Sequence, residues 1–70
     1  MGWSSCMEKK IENYYGSQAS TCAEGITKEN LSKVADCIAD VATDTGDGDV
    51  VVASAEVLAN LTSWSIECEF

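Results

Sequence analysis

Residues 26–42, ITKENLSKVADCIADVA, decide the fold of this chain. Their apolar side chains recur at the 3.6-residue period of an α-helix and fall on one stripe. The stripe contains Leu31, Val34, Ala35, Ile38, Val41 and Ala42. Thr27 is the expected N-cap, and Ile26 is placed to contact Leu31 across the first turn as a hydrophobic staple. The pattern predicts an amphipathic helix over residues 28–44, with Cys37 on the flank of its apolar stripe.

The segment before this helix predicts a first helix over about residues 5–22. Ser5 and Glu8 have the spacing of a capping box, in which each side chain accepts a hydrogen bond from an otherwise unpaired backbone N–H. Gly16 interrupts the segment: inside one long helix it costs about 1 kcal/mol, and otherwise it ends the helix. We expect a break or kink at Gly16, after which Ser17 caps a short second part that Gly25 ends.

The segment after the central helix predicts a third helix over about residues 50–66, with Asp49 as its N-cap. Its apolar face contains Val50, Ala53, Val57, Leu61, Trp64 and Cys68. Because Trp64 shares this face with Leu61, we interpret it as a core residue in preference to a ligand-binding aromatic. Three amphipathic helices with short connections predict an all-α, disulfide-stapled, antiparallel three-helix bundle that runs up, down and up, in one domain of residues 1–70.

The four cysteines are the expected staple of this small domain. A chain of 70 residues has a small core, so it needs good helix packing, a disulfide staple, a metal or a partner to be stable. The cysteines stand far apart, at positions 6, 22, 37 and 68, and the chain has no histidine. This spacing lacks the close pairs typical of zinc sites, so we expect two disulfides and no metal.

The sequence allows three pairings of the four cysteines, which the predicted helix arrangement ranks. In an up-down-up bundle the ends of the first and third helices share a pole, which favours Cys22–Cys68 together with Cys6–Cys37. Cys22–Cys37 with Cys6–Cys68 is second, and Cys6–Cys22 with Cys37–Cys68 is last. Disulfides predict an oxidising compartment, and we expect a secreted, extracellular protein. Residues 1–15 lack the apolar run of a signal peptide, so the expectation is that a leader has been removed.

The acidic residues are concentrated in the second half of the chain. The net charge is −8, and residues 34–70 contain no lysine or arginine. The predicted acidic patch consists of Asp36, Asp40, Asp44, Asp47 and Asp49. Nucleic acid is not an expected partner, because phosphate binding needs clustered basic residues. We also expect no membrane insertion, whereas a basic protein partner fits this surface.

The stretch DTGDGDV, residues 44–50, resembles a calcium-binding loop only superficially. With Asp44 at the first ligand position, the third and fifth positions are glycines and the twelfth is alanine. Calcium hands need oxygen ligands at those positions and glutamate at the twelfth, and no other register works. We therefore interpret the stretch as a helix stop, a turn and a cap that attracts divalent cations weakly at most.

The chain offers little for catalysis. Without histidine it cannot form a Ser-His or Cys-His pair, and it has neither a C-x-x-C motif nor a glycine-rich phosphate loop. We therefore expect no enzymatic activity and no cofactor. Two glycosylation sequons begin at Asn30 and Asn60. Their interpretation as ordinary polar helix positions is favoured over glycosylation.

The apolar side chains left for the surface are candidates for recognition. These candidates are Trp3, Tyr14, Tyr15, Ile66 and Phe70. Adjacent residues of a helix point about 100° apart, so Tyr14 and Tyr15 cannot both face the core. The favoured hypothesis is an extracellular recognition or signalling ligand resembling pheromones, toxins or effectors only in its class, which binds a protein receptor. The alternative is a structural or accessory subunit of a larger complex, or a self-assembling homo-oligomer, with Tyr15, Val51, Leu58 and Ile66 in the interface.

Overall fold

A computed structural model describes residues 2–45 and 52–69 of the chain. These residues form four α-helices: α1 (Trp3–Tyr15), α2 (Ser17–Cys22), α3 (Leu31–Thr45) and α4 (Ser54–Cys68). No described residue lies in a strand, so the predicted all-α class is confirmed for this part of the chain. The number of helices differs from the prediction, because the segment of the first predicted helix forms two helices, α1 and α2. Within the described ranges, no helix combines the length and apolar character needed to cross a bilayer.

The division between α1 and α2 lies at Gly16, where a break was predicted. Gly16 has a φ of 100°, which is outside the region that residues with a Cβ commonly adopt. Its backbone N–H donates to the Glu12 carbonyl and closes the last turn of α1. α2 then packs against both α1 and α3. The glycine therefore lets the chain leave the α1 axis and place a short helix on its neighbours.

α1 begins earlier than the predicted capping box allows. Its N-cap is Gly2, which has no side chain to accept a hydrogen bond, and Ser5 lies inside the helix. The Cys6 N–H donates to the Gly2 carbonyl over 3.2 Å and starts the helical ladder. Trp3, in the first turn, donates its indole N–H to the Ser65 carbonyl of α4 over 3.1 Å. The tertiary hydrogen bond of Trp3 therefore extends α1 toward its N-terminus, past Ser5, where the capping box predicted the helix to begin.

α3 begins three residues later than predicted, and its entry is organised by Asn30 instead of Thr27. The Asn30 side-chain oxygen accepts the Thr27 N–H over 2.7 Å, and its amide nitrogen donates to the Gly25 carbonyl over 3.1 Å. The Asn30 carbonyl then accepts the Val34 N–H, the first bond of the helix. Because asparagine competes for backbone groups in this way, it closes a turn where the periodicity alone predicted helix.

α4 covers residues 54–68, whereas the prediction was 50–66. Its N-cap is Ala53, without a side-chain cap, and the preceding Val52 N–H donates to the Thr43 hydroxyl over 3.1 Å. The predicted cap Asp49 and the predicted first residue Val50 lie outside the described residues. The end of α3 and the start of α4 are therefore joined directly by a side-chain hydrogen bond.

The core draws on all four helices and on the connection between α2 and α3. Its largest fully buried side chains are those of Met7, Ile11, Ile38, Val57 and Leu61. The remaining buried hydrophobic residues are Ala19, Ala23, Ile26, Val34, Ala35 and Ala39. The stripe predicted for α3 is confirmed at its centre, while Leu31, Val41 and Ala42 are half-buried at its edges. About half of these core residues are alanine or valine, so the helices approach closely around few large side chains.

Two disulfides link the helices, and the preferred pairing is wrong. Cys6 is bonded to Cys68, and Cys22 to Cys37, with Cα atoms 5.8 Å apart in each pair. This is the pairing that was placed second. The start of α1 lies beside the end of α4, so Cys6 and not Cys22 shares a pole with Cys68. The predicted placement of Cys37 on the flank of α3 is confirmed, since Cys37 is exposed.

Removal of each disulfide is expected to destabilise the fold to a different extent. The disulfides span 62 and 15 residues, and loop-closure entropy predicts losses of about 4 and about 3 kcal/mol in the free energy of unfolding. The double variant Cys6→Ser/Cys68→Ser should therefore be less stable than Cys22→Ser/Cys37→Ser in urea denaturation followed by circular dichroism. A larger loss for the second variant would contradict the loop-closure argument. Peptide mapping that links Cys6 to Cys37 would contradict the described pairing.

Two residues of α4 provide a matched test of the core. Leu61 is fully buried, whereas the side chain of Ile66 is 55% exposed. Leu61→Ala should lower the free energy of unfolding by about 2–5 kcal/mol, because it removes buried methyl groups and leaves a cavity. Ile66→Ala should change it by less than about 0.5 kcal/mol. Equal effects in thermal and urea unfolding would show that α4 presents a different face to the core.

Candidate recognition surface

Three aromatic rings lie together where the end of α1 meets the middle of α4. Tyr14 and Tyr15 come from α1 and Trp64 from α4, and we call these three residues the aromatic cluster. The ring centroids are 4.8 Å apart between the tyrosines, 5.5 Å between Tyr14 and Trp64, and 6.0 Å between Tyr15 and Trp64. All three pairs are edge-to-face, an arrangement that aromatic quadrupoles favour. The mutual contacts restrict the motion of each ring.

The three rings differ in exposure. Tyr14 is 67% exposed, while Tyr15 and Trp64 are half-buried and pack against the core. The difference between the tyrosines follows from the helix, since consecutive side chains point about 100° apart. Tyr15 is also fixed by Asn60, whose side-chain N–H donates to the phenol oxygen over 2.8 Å. Tyr15 and Trp64 therefore support the ring of Tyr14, which is exposed to solvent over most of its surface.

A recess lies beside the aromatic cluster, between the end of α1 and the first half of α4. It has a volume of about 420 Å³ and is open to solvent. Its polar and aromatic walls are Tyr14, Tyr15, Glu56 and Asn60, and Val52 and Ala59 complete it. We call it the aromatic recess. Glu56 lies in the first turn of α4, where a negative charge interacts favourably with the helix dipole.

The environment of Tyr15 raises the pKa of its phenol above the ordinary value of about 10. Burial is the main cause, because it penalises the charged phenolate. The hydrogen bond from Asn60 lowers the pKa and so opposes this effect, while the nearby Tyr14 and Glu56 raise it. Glu56, which lines the aromatic recess together with Tyr15, is the smallest of these causes.

The other side of the aromatic cluster carries a lysine. Lys10 and Asn13 of α1 line a second, shallower depression together with Tyr14 and Trp64. The Lys10 ammonium lies 3.6 Å from a carboxylate oxygen of Glu67. Both side chains are substantially exposed, so this ion pair adds little stability. The cluster thus has a cation paired with Glu67 on one side and the Glu56 carboxylate on the other.

Two further recognition candidates, Trp3 and Ile66, lie apart from the aromatic cluster. Trp3 is half-buried against the end of α4, where the ammonium of Lys28 stands 6.0 Å above its ring. Ile66 is exposed but follows Trp64 by two residues, about 200° around the helix, so it faces away from the aromatic cluster. Phe70 lies outside the described residues. Of the four candidates that the structure describes, Tyr14 and Tyr15 belong to the aromatic cluster, whereas Trp3 and Ile66 do not.

The acidic patch is described only in part. Asp36, Asp40 and Asp44 are exposed, lie at four-residue intervals on α3, and line an open recess with Thr43 and Ser54. Asp47 and Asp49 lie outside the described residues, as does most of the stretch considered for calcium. Within residues 2–45 and 52–69, no group of three or more cysteine or carboxylate side chains is placed to hold a metal ion.

Both sequon asparagines are already engaged in the fold. The amide nitrogen of Asn30 donates to the Gly25 carbonyl, and that of Asn60 donates to the Tyr15 phenol. Glycosylation attaches a sugar to this same nitrogen. A sugar at Asn60 would stand against Tyr15 in the aromatic recess, and one at Asn30 against the turn that precedes α3. Each asparagine therefore has a structural role at the position of its sequon.

Three residues of this surface were not among the predicted recognition residues. Trp64 was interpreted as a core residue and Asn60 as a sequon or an ordinary polar helix position, and Glu56 is one of the acidic residues in the second half of the chain. All three lie on α4 at intervals of four residues, which places them along one side of the helix. This spacing is a signal that the sequence contains. The sequence alone does not show that α1 ends beside this side of α4.

The chain was also compared with protein-family models, with curated proteins and with solved structures, and none of these matches it. The class that the described residues define is a small all-helical protein with two disulfides and an exposed aromatic cluster.

The raised pKa of Tyr15 predicts a loss of stability at alkaline pH. The folded protein binds the phenol proton more tightly than the unfolded chain, whose pKa is about 10. The stabilisation that comes from this tighter proton binding is complete below a pH of about 10, and it is lost as the pH rises through the higher pKa of Tyr15 in the folded state. Phenolate absorbance in a Tyr14→Phe background should show Tyr15 ionising above its ordinary pKa.

Asn60 provides the matched variant for this titration. Its hydrogen bond lowers the pKa of Tyr15, so Asn60→Ala in the Tyr14→Phe background should raise the pKa further. Asn13→Ala removes an amide that does not contact Tyr15 through any described hydrogen bond and should leave the pKa unchanged. Ionisation of Tyr15 at or below the ordinary pKa of tyrosine would contradict the described burial and bonding.

Proposed function

We propose that this protein is a small secreted, acidic helical protein that acts as an extracellular recognition or signalling ligand and has no enzymatic activity. The observation that carries the proposal is Tyr14, 67% exposed within an aromatic cluster on a scaffold cross-linked by two disulfides. In this proposal the four helices form one small bundle, in which α1 and α2 are the halves of the first predicted helix. The partner is a protein receptor.

An exposed and immobilised aromatic side chain is well suited to binding. Tyrosine and tryptophan are enriched among the residues that dominate interface energetics. Binding usually costs the entropy of ordering flexible side chains, and this cost is small for a ring that is already restrained. Tyr14 is restrained by Tyr15 and Trp64. Its exposure in the isolated chain leaves this ring available to a partner.

The disulfides support the proposed location. All four cysteines are paired, and none is free. Cytosolic thiols are kept reduced, whereas small proteins of oxidising compartments use disulfides to supplement a small core. The core here contains five large, fully buried side chains. A secreted protein, or one in another oxidising compartment, fits this dependence on cross-links.

The charge supports a protein partner with basic groups. The net charge of −8 and the absence of basic residues from positions 34–70 disfavour nucleic acids and anionic membranes. An acidic surface attracts a basic receptor from a distance and increases the rate of encounter. It also attracts divalent cations weakly, without selecting one of them.

The alternative function is a structural or accessory subunit, or an assembly of copies of this chain. Ile66, 55% exposed on the outer side of α4, is the observation that favours it. Tyr15 and Leu58, which belong to the same proposed interface, are half-buried within the chain, and Val51 lies outside the described residues. One exposed isoleucine offers a smaller apolar surface than the aromatic cluster, so recognition by a receptor is the stronger proposal.

Saturation binding to cells of the source organism tests the proposal. Fluorescently labelled native protein should bind the cell surface saturably and be displaced by unlabelled protein. Tyr14→Ala should weaken binding by about thirtyfold, because a residue at the centre of an interface contributes about 2 kcal/mol or more. Circular dichroism would verify that this variant is folded.

The control is Ile66→Ala, which removes the other large apolar side chain that is exposed among residues 2–45 and 52–69 and should leave the affinity unchanged. Reduction of the disulfides should abolish binding. Absence of saturable binding, or equal binding by Tyr14→Ala, would contradict the proposal. A concentration-dependent oligomer in size exclusion that Ile66→Ala dissociates would support the alternative.

A further inference from the structure

We propose that the aromatic recess binds an arginine side chain in a basic peptide segment of the partner. The recess, defined above by Tyr14, Tyr15, Glu56 and Asn60, combines aromatic rings with one carboxylate. This inference rests on the proposed recognition function and specifies the chemistry of the partner.

The aromatic walls suit a flat cation. The planes of the Tyr14 and Tyr15 rings are inclined by 65°, so their faces are turned in different directions. The face of an aromatic ring attracts cations, and the guanidinium of arginine also stacks on it. Tyr15 is held by its bond to Asn60 and Tyr14 by its ring contacts. The walls are therefore preorganised before a ligand arrives.

The carboxylate supplies directional hydrogen bonding. Glu56 is exposed and belongs to neither of the ion pairs found between described residues, which are Lys10–Glu67 and Lys28–Glu69. A carboxylate and a guanidinium form two parallel charge-assisted hydrogen bonds, a geometry that an ammonium cannot reproduce. The Asn60 side-chain oxygen accepts no hydrogen bond within the described part of the chain, so it is a further acceptor. These groups together favour arginine over lysine.

The chain's own paired cations are held away from the recess. Lys10 is paired with Glu67 in the depression on the other side of Tyr14. Lys28 is paired with Glu69, at the opposite end of α4 from Glu56. α4 itself contains no basic residue. None of the residues that line the aromatic recess is basic. The recess is therefore open to a cation from another molecule.

The surroundings of the recess favour a basic segment instead of an isolated arginine. Val52 lines both the aromatic recess and the acidic recess of α3, so the two adjoin. The acidic recess contributes Asp36, Asp40 and Asp44. With the arginine beside Tyr14, neighbouring basic residues of an extended segment would meet these carboxylates. Charge complementarity therefore extends over both recesses and favours a basic peptide over a single arginine.

A short synthetic peptide tests this inference directly. The probe is an acetylated, amidated peptide with one arginine, glycine on either side of it, and a lysine at each end. The matched probe replaces arginine by citrulline, which has nearly the same shape and no charge. NMR titration of the native, disulfide-bonded protein should show saturable shifts of the Tyr14, Tyr15 and Trp64 ring signals with the arginine peptide. The citrulline peptide should bind at least about tenfold more weakly.

Protein variants identify the carboxylate that is responsible. Glu56→Gln should weaken binding of the arginine peptide by about tenfold, since it removes the charge but keeps the size of the side chain. Glu29→Gln removes the same charge from an exposed position outside the recess and should have an effect of less than about twofold. Asp40→Asn should weaken the arginine peptide by a smaller factor, because its carboxylate would meet a flanking lysine.

The possible results separate the two proposals. Equal binding of the arginine and citrulline peptides, or equal effects of Glu56→Gln and Glu29→Gln, would overturn the arginine site. If cell-surface binding still depended on Tyr14, the recognition function would stand and only the chemistry of the partner would be wrong. If the arginine peptide bound as expected while no saturable cell-surface binding occurred, the site would stand and the proposed extracellular function would fail.

Discussion

The Cys6–Cys68 disulfide is the constraint on which the rest of the structure depends. It joins the first turns of α1 to the last residue of α4 and thereby sets the two helices in antiparallel register. Tyr15 follows Cys6 by nine residues and Asn60 precedes Cys68 by eight, which are similar lengths at a rise of about 1.5 Å per residue. The hydrogen bond between Tyr15 and Asn60 is a consequence of this register. The aromatic cluster therefore occurs where it does because the far ends of two helices are covalently tied.

The few large apolar side chains of this chain are divided between the core and the surface. The core uses Met7, Ile11, Ile38, Val57 and Leu61, together with many alanines. Burying Tyr14 as well would add apolar surface to the core, but the ring remains largely outside. The two disulfides offset this loss by reducing the entropy of the unfolded chain. A cross-linked scaffold can therefore carry an exposed aromatic ring that a core of this size alone would tolerate poorly.

The accuracy of the sequence predictions depended on how local each signal was. The central stripe of α3 and the break at Gly16 were predicted well, because helix periodicity and glycine act within a few residues. The helix starts at Ser5 and Thr27 were wrong. At the first, a tertiary hydrogen bond from Trp3 extends α1; at the second, the Asn30 side chain forms a competing turn. A cap signal of about 1 kcal/mol is easily outweighed by such contacts.

The candidate site was predicted only in pieces. The two tyrosines were recognised as a pair that could not both be buried, which follows from the angle between consecutive helical residues. The placement of Trp64 beside them and of Glu56 in the adjoining recess was not predicted. By itself the sequence determined the helical class, the need for a staple and the asymmetry of charge, since composition and short-range periodicity carry these properties. Only the tertiary structure decided which cysteines pair and which side chains share a surface, because both depend on contacts between residues that are far apart in the sequence.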